Sequence, residues 1–385
     1  MILSEDQRMI VGVARAFSKD VLLPRYQSLD DHDSRIPQET LRALGELGLI
    51  APGNKEEHGG IGLDSATVGL VLEALAEGDF NITYIALIGS LTSQILSHHA
   101  APGLAREWVP GIVRGEHMVG LALTEPQGGS DAANIQFSAR AIDGGYLLNG
   151  EKTSITLAHC ADAFVVFGRT GTRGQGASGV SAFLVKGDSE GLSRTRFKDM
   201  GGRVIGRGSL FFDDVFVPSE YRIGDEGDAF KTIMHGFDFT RALLGLQCVG
   251  AAQASLRETW QYTRERAAFG RPIIENQGVS FPLAEAEGRL EAARQLCLYA
   301  LQLRDAGLPH SAEAAMCKWI APEAAVEVIH RCLITHGHYG WSIEFPHQQR
   351  LRDVIGMEIG DGGEQIMKII ISKIRGAKVD LNESN

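Results

Sequence analysis

No run of the roughly 18 apolar residues needed to cross a membrane occurs, so no spanning helix is expected. The acidic opening Met1–Gln7 enters an amphipathic pattern without the apolar stretch of a signal peptide, so a leader is not expected either. Cysteine is scarce and odd in number: Cys160, Cys248, Cys297, Cys317 and Cys332, none in a CxxC pair. A chain of 385 residues, 44% of them apolar, builds its core without disulfide staples, which favours free thiols in a reducing cytoplasm. Basic residues are outnumbered, 37 Lys and Arg against 48 Asp and Glu for a net charge of -11, and no basic cluster alternates with aromatics. A nucleic-acid partner is therefore disfavoured. The chain also lacks a GxGxxG turn after a strand, a GxxxxGK[ST] loop, an HExxH pair and a GxSxG elbow. That lowers NAD, ATP, catalytic zinc and α/β-hydrolase chemistry together. His336, His338 and His347 come closest to a metal site, without zinc spacing, and no metal is expected.

What is present divides by periodicity. From Ser4 the apolar spacing is helical, with a Ser4 to Gln7 capping box, and helical patterns recur at 37–47, 65–76, 83–98 and 103–114. At Met118 the pattern changes to short alternating runs punctuated by Asp143-Gly144-Gly145, Asn149-Gly150 and Gly187-Asp188, an all-β text up to Pro218. Long helical runs follow at 229–265, 277–306, 311–334 and 363–375, with Pro272, Pro309 and Pro346 in the connections. The expected layout is an N-terminal helical region 1–117, a middle β region 118–226 and a C-terminal four-helix bundle 227–385.

Two glycine-bearing loops carry the candidate chemistry. In Gly360-Asp361-Gly362-Gly363-Glu364-Gln365 a lone carboxylate lies between glycines, after an expected helical run at 343–355 and before an apolar run at 366–374. Glycines on both sides let a flat ligand approach the backbone, and a helix start offers free N–H groups to a developing negative charge. An ordinary Gly/Asp turn has the same composition. In Leu123-Thr124-Glu125-Pro126-Gln127-Gly128-Gly129-Ser130-Asp131 the hydroxyls of Thr124 and Ser130 flank a Gly-Gly turn whose N–H groups could cradle a phosphate, or simply close a loop.

Leu123–Asp131 resembles the TEPxxGSD signature of the acyl-CoA dehydrogenase family, and further stretches agree in family order. Glu57–Gly62 is similar to the EyGGlG loop, Leu148–Lys152 to lNGeK, Gly224–Phe230 to GxEGxGF and Asp238–Arg241 to the D-x-x-R helix. Arg266–Gly270 with Asn276-Gln277 resembles RxxFG…xQ, and Arg352-Asp353 precedes the 360–365 loop at the family's distance. The resemblance covers essentially the whole chain. It implies a mainly α fold with a β-barrel middle domain, FAD bound across a subunit interface, an acyl-CoA substrate, an electron-transfer flavoprotein as acceptor and a homotetramer. Carried over residue by residue, Leu123, Thr124 and Thr156 would lie along the flavin, with Gly129 and Ser130 at the pyrophosphate and Ser130 also at the CoA arm. Arg266, Phe269 and Gln277 would reach the ADP half in a neighbouring subunit, while Gly337, Gly363 and Gln365 line the cofactor. Asp238, Arg241 and Gly362 would contact substrate. The carbonyl of the thioester would be polarised by a flavin ribityl hydroxyl and the N–H of the base.

The chain departs from the pattern where the base belongs. The family's usual Glu in YEGT is replaced by Asp361 after Gly360, and the alternative base position is Thr240, which leaves Asp361 as the expected base. Ser154 stands where many members place a Trp beside the flavin. A base one methylene shorter, with two aromatics missing, suits an acyl group wide at Cα, such as cyclohexane-1-carboxyl-CoA. The alicyclic acyl-CoA dehydrogenases, which use Asp, are the group it resembles. Short or branched acyl-CoA, a nitroalkane-oxidase-like activity supported by Lys368, and a non-catalytic flavin-fold protein stay open as alternatives.

Overall fold

The computed structural model describes residues 2–376, and at 173–175 and 231–235 the backbone only. The expected end of the third region, at 385, lies outside the described residues. Helix α1, Glu5–Phe17, opens with the capping box: Ser4 Oγ accepts from Gln7 N at 3.1 Å while the Gln7 side chain accepts from Ser4 N at 3.1 Å. It runs on through a π-helical turn into α2, Leu23–Tyr26. After α3, Gln38–Glu46, come α4, Ser65–Ala76, and α5, Phe80–His99, each started by an aspartate. Asp64 accepts from Thr67 N at 2.7 Å, and Asp79 accepts from Asn81 N at 2.7 Å and Ile82 N at 3.0 Å. Nearly every residue of α4 and α5 is buried, because these two helices are enclosed on all sides, with α6, Pro102–Val113, packed on α5.

Eight strands follow: β1, Val119–Ala122; β2, Ser138–Ile142; β3, Gly145–Thr156; β4, Ala163–Arg169; β5, Val180–Lys186; β6, Leu192–Arg194; β7, Arg207–Pro218; and β8, Arg222–Ile223. Their order is β6-β7-β3-β2-β4-β5-β8, with β1 parallel to β4. The expected β-barrel is corrected here to an open mixed sheet. Among the described residues its two halves join where Ser138 on β2 meets Arg169 on β4, and the outer strands β6 and β8 do not pair. Alternating apolar residues specify strands, whereas closure depends on tilt and stagger between distant strands.

The last region consists of α7, Ala229–Glu265, the small hairpin of β9, Ala267–Ala268, and β10, Arg271–Pro272, then α8, Gln277–Asp305, and α9, Ser311–Thr335. Short α10, His338–Trp341, α11, His347–Ile359, and α12, Glu364–Gly376, complete it. Helices α7, α8 and α9 pack on one another, α11 and α12 pack on α9, and α7 also covers α4 and α5. The helix expected at 343–355 starts four residues later, behind Pro346, and continues to Ile359 because nothing breaks it before Gly360. Asp353 on α11 joins all three regions. Its carboxylate accepts from Tyr26 Oη at 2.6 Å, Asn81 Nδ2 at 3.0 Å and Gly202 N at 2.7 Å.

Candidate active site

The loop at 123–131 leaves β1 and is held from beneath. Glu125 is 4% exposed, and its carboxylate accepts from Gln136 N at 2.8 Å, Phe137 N at 3.1 Å and Lys152 Nζ at 2.7 Å. Lys152, on β3 and fully buried, also donates to Leu123 O at 2.9 Å. Burial alone would raise the Glu125 carboxyl, but Lys152 and the two amides prevail and hold it below its ordinary value. Burial lowers Lys152 to about 8 against the pull of Glu125. This strut presents Gly128, Gly129 and Ser130 outward, with no atom of the chain within 4 Å of where a side chain at Gly129 would begin. Both charged partners stood in the motifs, yet nothing in the sequence pairs them, since they lie 27 residues apart.

Asp361 sits in the turn between α11 and α12 with a left-handed backbone, φ 54°, and Gly362 follows at φ 96°. Asp tolerates this region better than most residues, at a cost of about 1–2 kcal/mol. The turn is tight on one side, because a Cβ at Gly362 would come within 2.6 Å of Met367 Cε. It is open on the other, because a Cβ at Gly360 would meet only Gly356 O, at 3.5 Å. Among the described residues the N–H of Asp361 makes no backbone hydrogen bond, so it is free to face a ligand. Burial raises the Asp361 carboxyl above its ordinary value, and the charges of Lys318 and Arg241 oppose that rise. Arg241 is buried and held by Asp238 at 2.8 Å, and Asp238 also accepts from Ser311 Oγ. The two residues expected at the substrate are thus paired with each other, beside the Asp361 turn.

Tyr84 on α5 is 7% exposed; burial, and next the Asp361 charge, push its hydroxyl well up, and Thr156 opposes that rise. The sequence reading missed Tyr84, since one Tyr in an almost wholly buried helix carries no pattern. It also missed Arg207, which donates to Ser154 Oγ at 3.2 Å and to both oxygens of Asp199, at 3.0 and 2.7 Å. The space beside Ser154 is therefore shared with a guanidinium. Lys368, named for the oxidase alternative, instead pairs with Glu364 and lies over the Trp319 ring at 4.3 Å. His336, next to Gly337 in the chain, stacks on Tyr262 at 4.2 Å and meets His347 at 4.2 Å with its ring tilted by 41°.

The remaining expected residues lie on the surface. Leu123 and Thr124 are half-buried beside the strut, while Gly337 has φ 60° with nothing within 4 Å, and Gly363 and Gln365 start α12. Arg266, Phe269 and Gln277 stand apart, around the hairpin at the end of α7, and Phe269 is 100% exposed. An aromatic held entirely in solvent at a strained φ of 54° is suited to contact something outside its own chain. The hydroxyls of Thr124, Ser130 and Thr156, the open glycines and the outward Phe269 fit a long cofactor with a flat ring and a pyrophosphate.

The helical, sheet and helical regions, with the hydroxyl- and glycine-bearing loop at 123–131 and the half-buried Asp361 carboxylate in the 360–363 turn, are those of a flavoprotein oxidoreductase. The pattern of the acyl-CoA dehydrogenase N-terminal domain matches residues 4–116, that of the middle domain 120–215 and that of the C-terminal domain 227–375. The chain belongs to the acyl-CoA dehydrogenase family, and with it to the FAD-dependent oxidoreductases of acyl-CoA. It is 31% identical to an acyl-CoA dehydrogenase of Bacillus subtilis, over 97% of this chain and 98% of the relative. It is 33% identical to the benzylmalonyl-CoA dehydrogenase of Aromatoleum aromaticum, over 96% of this chain and 98% of that one. The solved butyryl-CoA dehydrogenase of Megasphaera elsdenii superposes with a TM-score of 0.93 at 28% identity, covering 97% of this chain and 99% of that structure.

Proposed function

We propose that the protein removes the α-proton and the β-hydride of an acyl-CoA whose Cα is branched or part of a ring, with Asp361 as the base. The acyl group that fits best is cyclohexane-1-carboxyl, converted to cyclohex-1-ene-1-carboxyl-CoA. The observation that carries this reading is the turn at 360–363: a half-buried carboxylate, two cations near it, an N–H on the same residue with no backbone partner among the described residues, and open space at Gly360. Asp361 takes the proton from Cα, and its own N–H polarises the thioester oxygen as negative charge develops there. Being one methylene shorter than Glu, the base draws Cα closer to the backbone, and the space at Gly360 accepts the second branch.

Bound FAD supplies the two-electron acceptor for the hydride leaving Cβ. Leu123, Thr124, Thr156, Gly129, Ser130, Gly337, Gly363 and Gln365 would hold it from this chain, and Arg266, Phe269 and Gln277 from a second copy. Asp238 and Arg241, with Gly362, would face the CoA thioester. The exposed Phe269, Trp341, Ile343 and Ile359 support a homotetramer, in which a second copy covers them. An electron-transfer flavoprotein would take the electrons onward, and the cytoplasm is the compartment that suits five free cysteines.

Anaerobic titration of the yellow protein with cyclohexane-1-carboxyl-CoA, butyryl-CoA, benzylmalonyl-CoA and a primary nitroalkane tests the reading. Bleaching of the flavin by the cyclic thioester in preference to the others is expected. Preference for butyryl-CoA or benzylmalonyl-CoA would keep the chemistry and discard the ring, and a response to the nitroalkane alone would discard the thioester.

A further inference from the structure

The candidate base is accompanied by a cation that no motif contains. Lys318, in the second turn of α9, is 1% exposed, and its ammonium donates to the carbonyls of Met357 and Gly362, the latter at 3.2 Å. Met357 lies in the last turn of α11 and Gly362 directly follows Asp361, so one side chain grips the turn from both ends. Carbonyls at a helix end are satisfied by any neutral donor, whereas burying an ammonium costs much more than burying an amide. Its charge therefore needs a reason beyond capping. Asp361 provides the largest attraction on Lys318, and Lys318 the largest on Asp361, although no ion pair within 4.0 Å joins them among the described residues. Arg241 is the other cation near the base, and Asp238 already occupies it at 2.8 Å. The remaining ionisable groups that act on Lys318 are Cys248, Arg241 and Glu358, and the Asp361 charge also acts on Tyr84.

We propose that Lys318 is a positioning residue for proton abstraction: it clamps the Asp361 turn through Met357 O and Gly362 O and sets its positive charge beside the base without occupying the base's oxygens. This rests on the reading of Asp361 as the base. The test compares Lys318→Gln, which keeps a donor and loses the charge, with Lys318→Arg, which keeps both. Two readouts are followed against pH in the FAD-loaded protein: exchange of the acyl-CoA α-protons with deuterated water, and the rate of flavin bleaching. In the Gln variant the acid limb of both profiles should move up by about one unit or more, a roughly tenfold loss on the acid side. In the Arg variant it should return toward wild type. A Gln variant with an unmoved limb overturns the proposal, as does an Arg variant no better than Gln, because a purely structural cap needs only the donor. Should the Gln variant not retain flavin, Lys318→Met, which fills the same space, takes its place with the same expected shift. Asp361→Asn is measured beside them. If it still exchanges α-protons, the base reading itself has failed and this inference falls with it; if it is inert and the Lys318 variants do not shift, only the present inference fails.

Discussion

Two buried lysines face two carboxylates in this molecule, and they are arranged differently. In the strut under the 123–131 loop, Lys152 touches Glu125 at 2.7 Å, and two backbone amides complete the carboxylate. At the 360–363 turn, Lys318 spends its hydrogen bonds on carbonyls and reaches Asp361 only through its field. Burial opposes both carboxylates, yet Glu125 ends below its ordinary value and Asp361 above it. A carboxylate in contact with its cation is saturated and serves as structure. One held at a distance keeps free oxygens and a raised affinity for protons, which a base requires.

The sharpest way to break this contrast is Asp361→Asn. Turnover should fall by about 10³-fold while flavin content and melting midpoint stay near wild type, as read by steady-state assay and absorbance. Near-normal turnover would remove Asp361 from the chemistry. On the other side of the comparison, Glu125→Gln should leave Lys152 buried without its counter-charge, costing about 3–5 kcal/mol of stability and most of the bound flavin. Thermal melting checks this, and the double variant Glu125→Gln with Lys152→Met should recover part of the loss; no recovery would mean that the charges are not what the strut depends on. Asp361→Glu is a finer probe. Lengthening the base should shift the ranking toward straight acyl groups by about tenfold, by analogy with the cost of misplacing a reacting group by about 1 Å, and an unchanged ranking would sink the steric argument.

The smallest effect comes from the region junction, where Asp353 acts on Asp79. Burial first, and then Asp353, raise Asp79 to about 7, and burial raises Asp353 to about 6. Because these folded values lie above the unfolded ones, the junction is most favourable when protonated. Its contribution is fully present below about pH 4 and is lost as pH rises through about 6 to 7. Asp79→Asn keeps the cap acceptor for Asn81 N and Ile82 N and removes one charge. Its melting midpoint should gain about 2–4 °C on wild type between acid and neutral pH. A constant gap across that range would show that the charge of Asp79 does not govern the junction.

Helical spacing and glycine placement were enough to read the order of helical, β and helical regions, and 229–265 and 65–76 coincide with α7 and α4. Asp361 was legible because an isolated carboxylate among glycines is a local signal. The opening of the sheet was not, because pairing between β2 and β4 narrows to one residue pair, which alternation along a strand does not encode. Tyr84, Arg207 and Lys318 were not legible either. Each is a single residue of ordinary type in a helix or strand, and each becomes part of the site only through distant neighbours.

The sequence by itself determined the element types and the family, and it singled out Asp361 as the carboxylate proposed as base, because periodicity, turn chemistry and motif spacing are local properties of the chain. Tertiary structure alone decided which lysine saturates a carboxylate and which holds its charge at a distance. The partners lie 27 residues apart in one case and 43 in the other, and whether a charge is in contact or merely near depends on how separate elements pack.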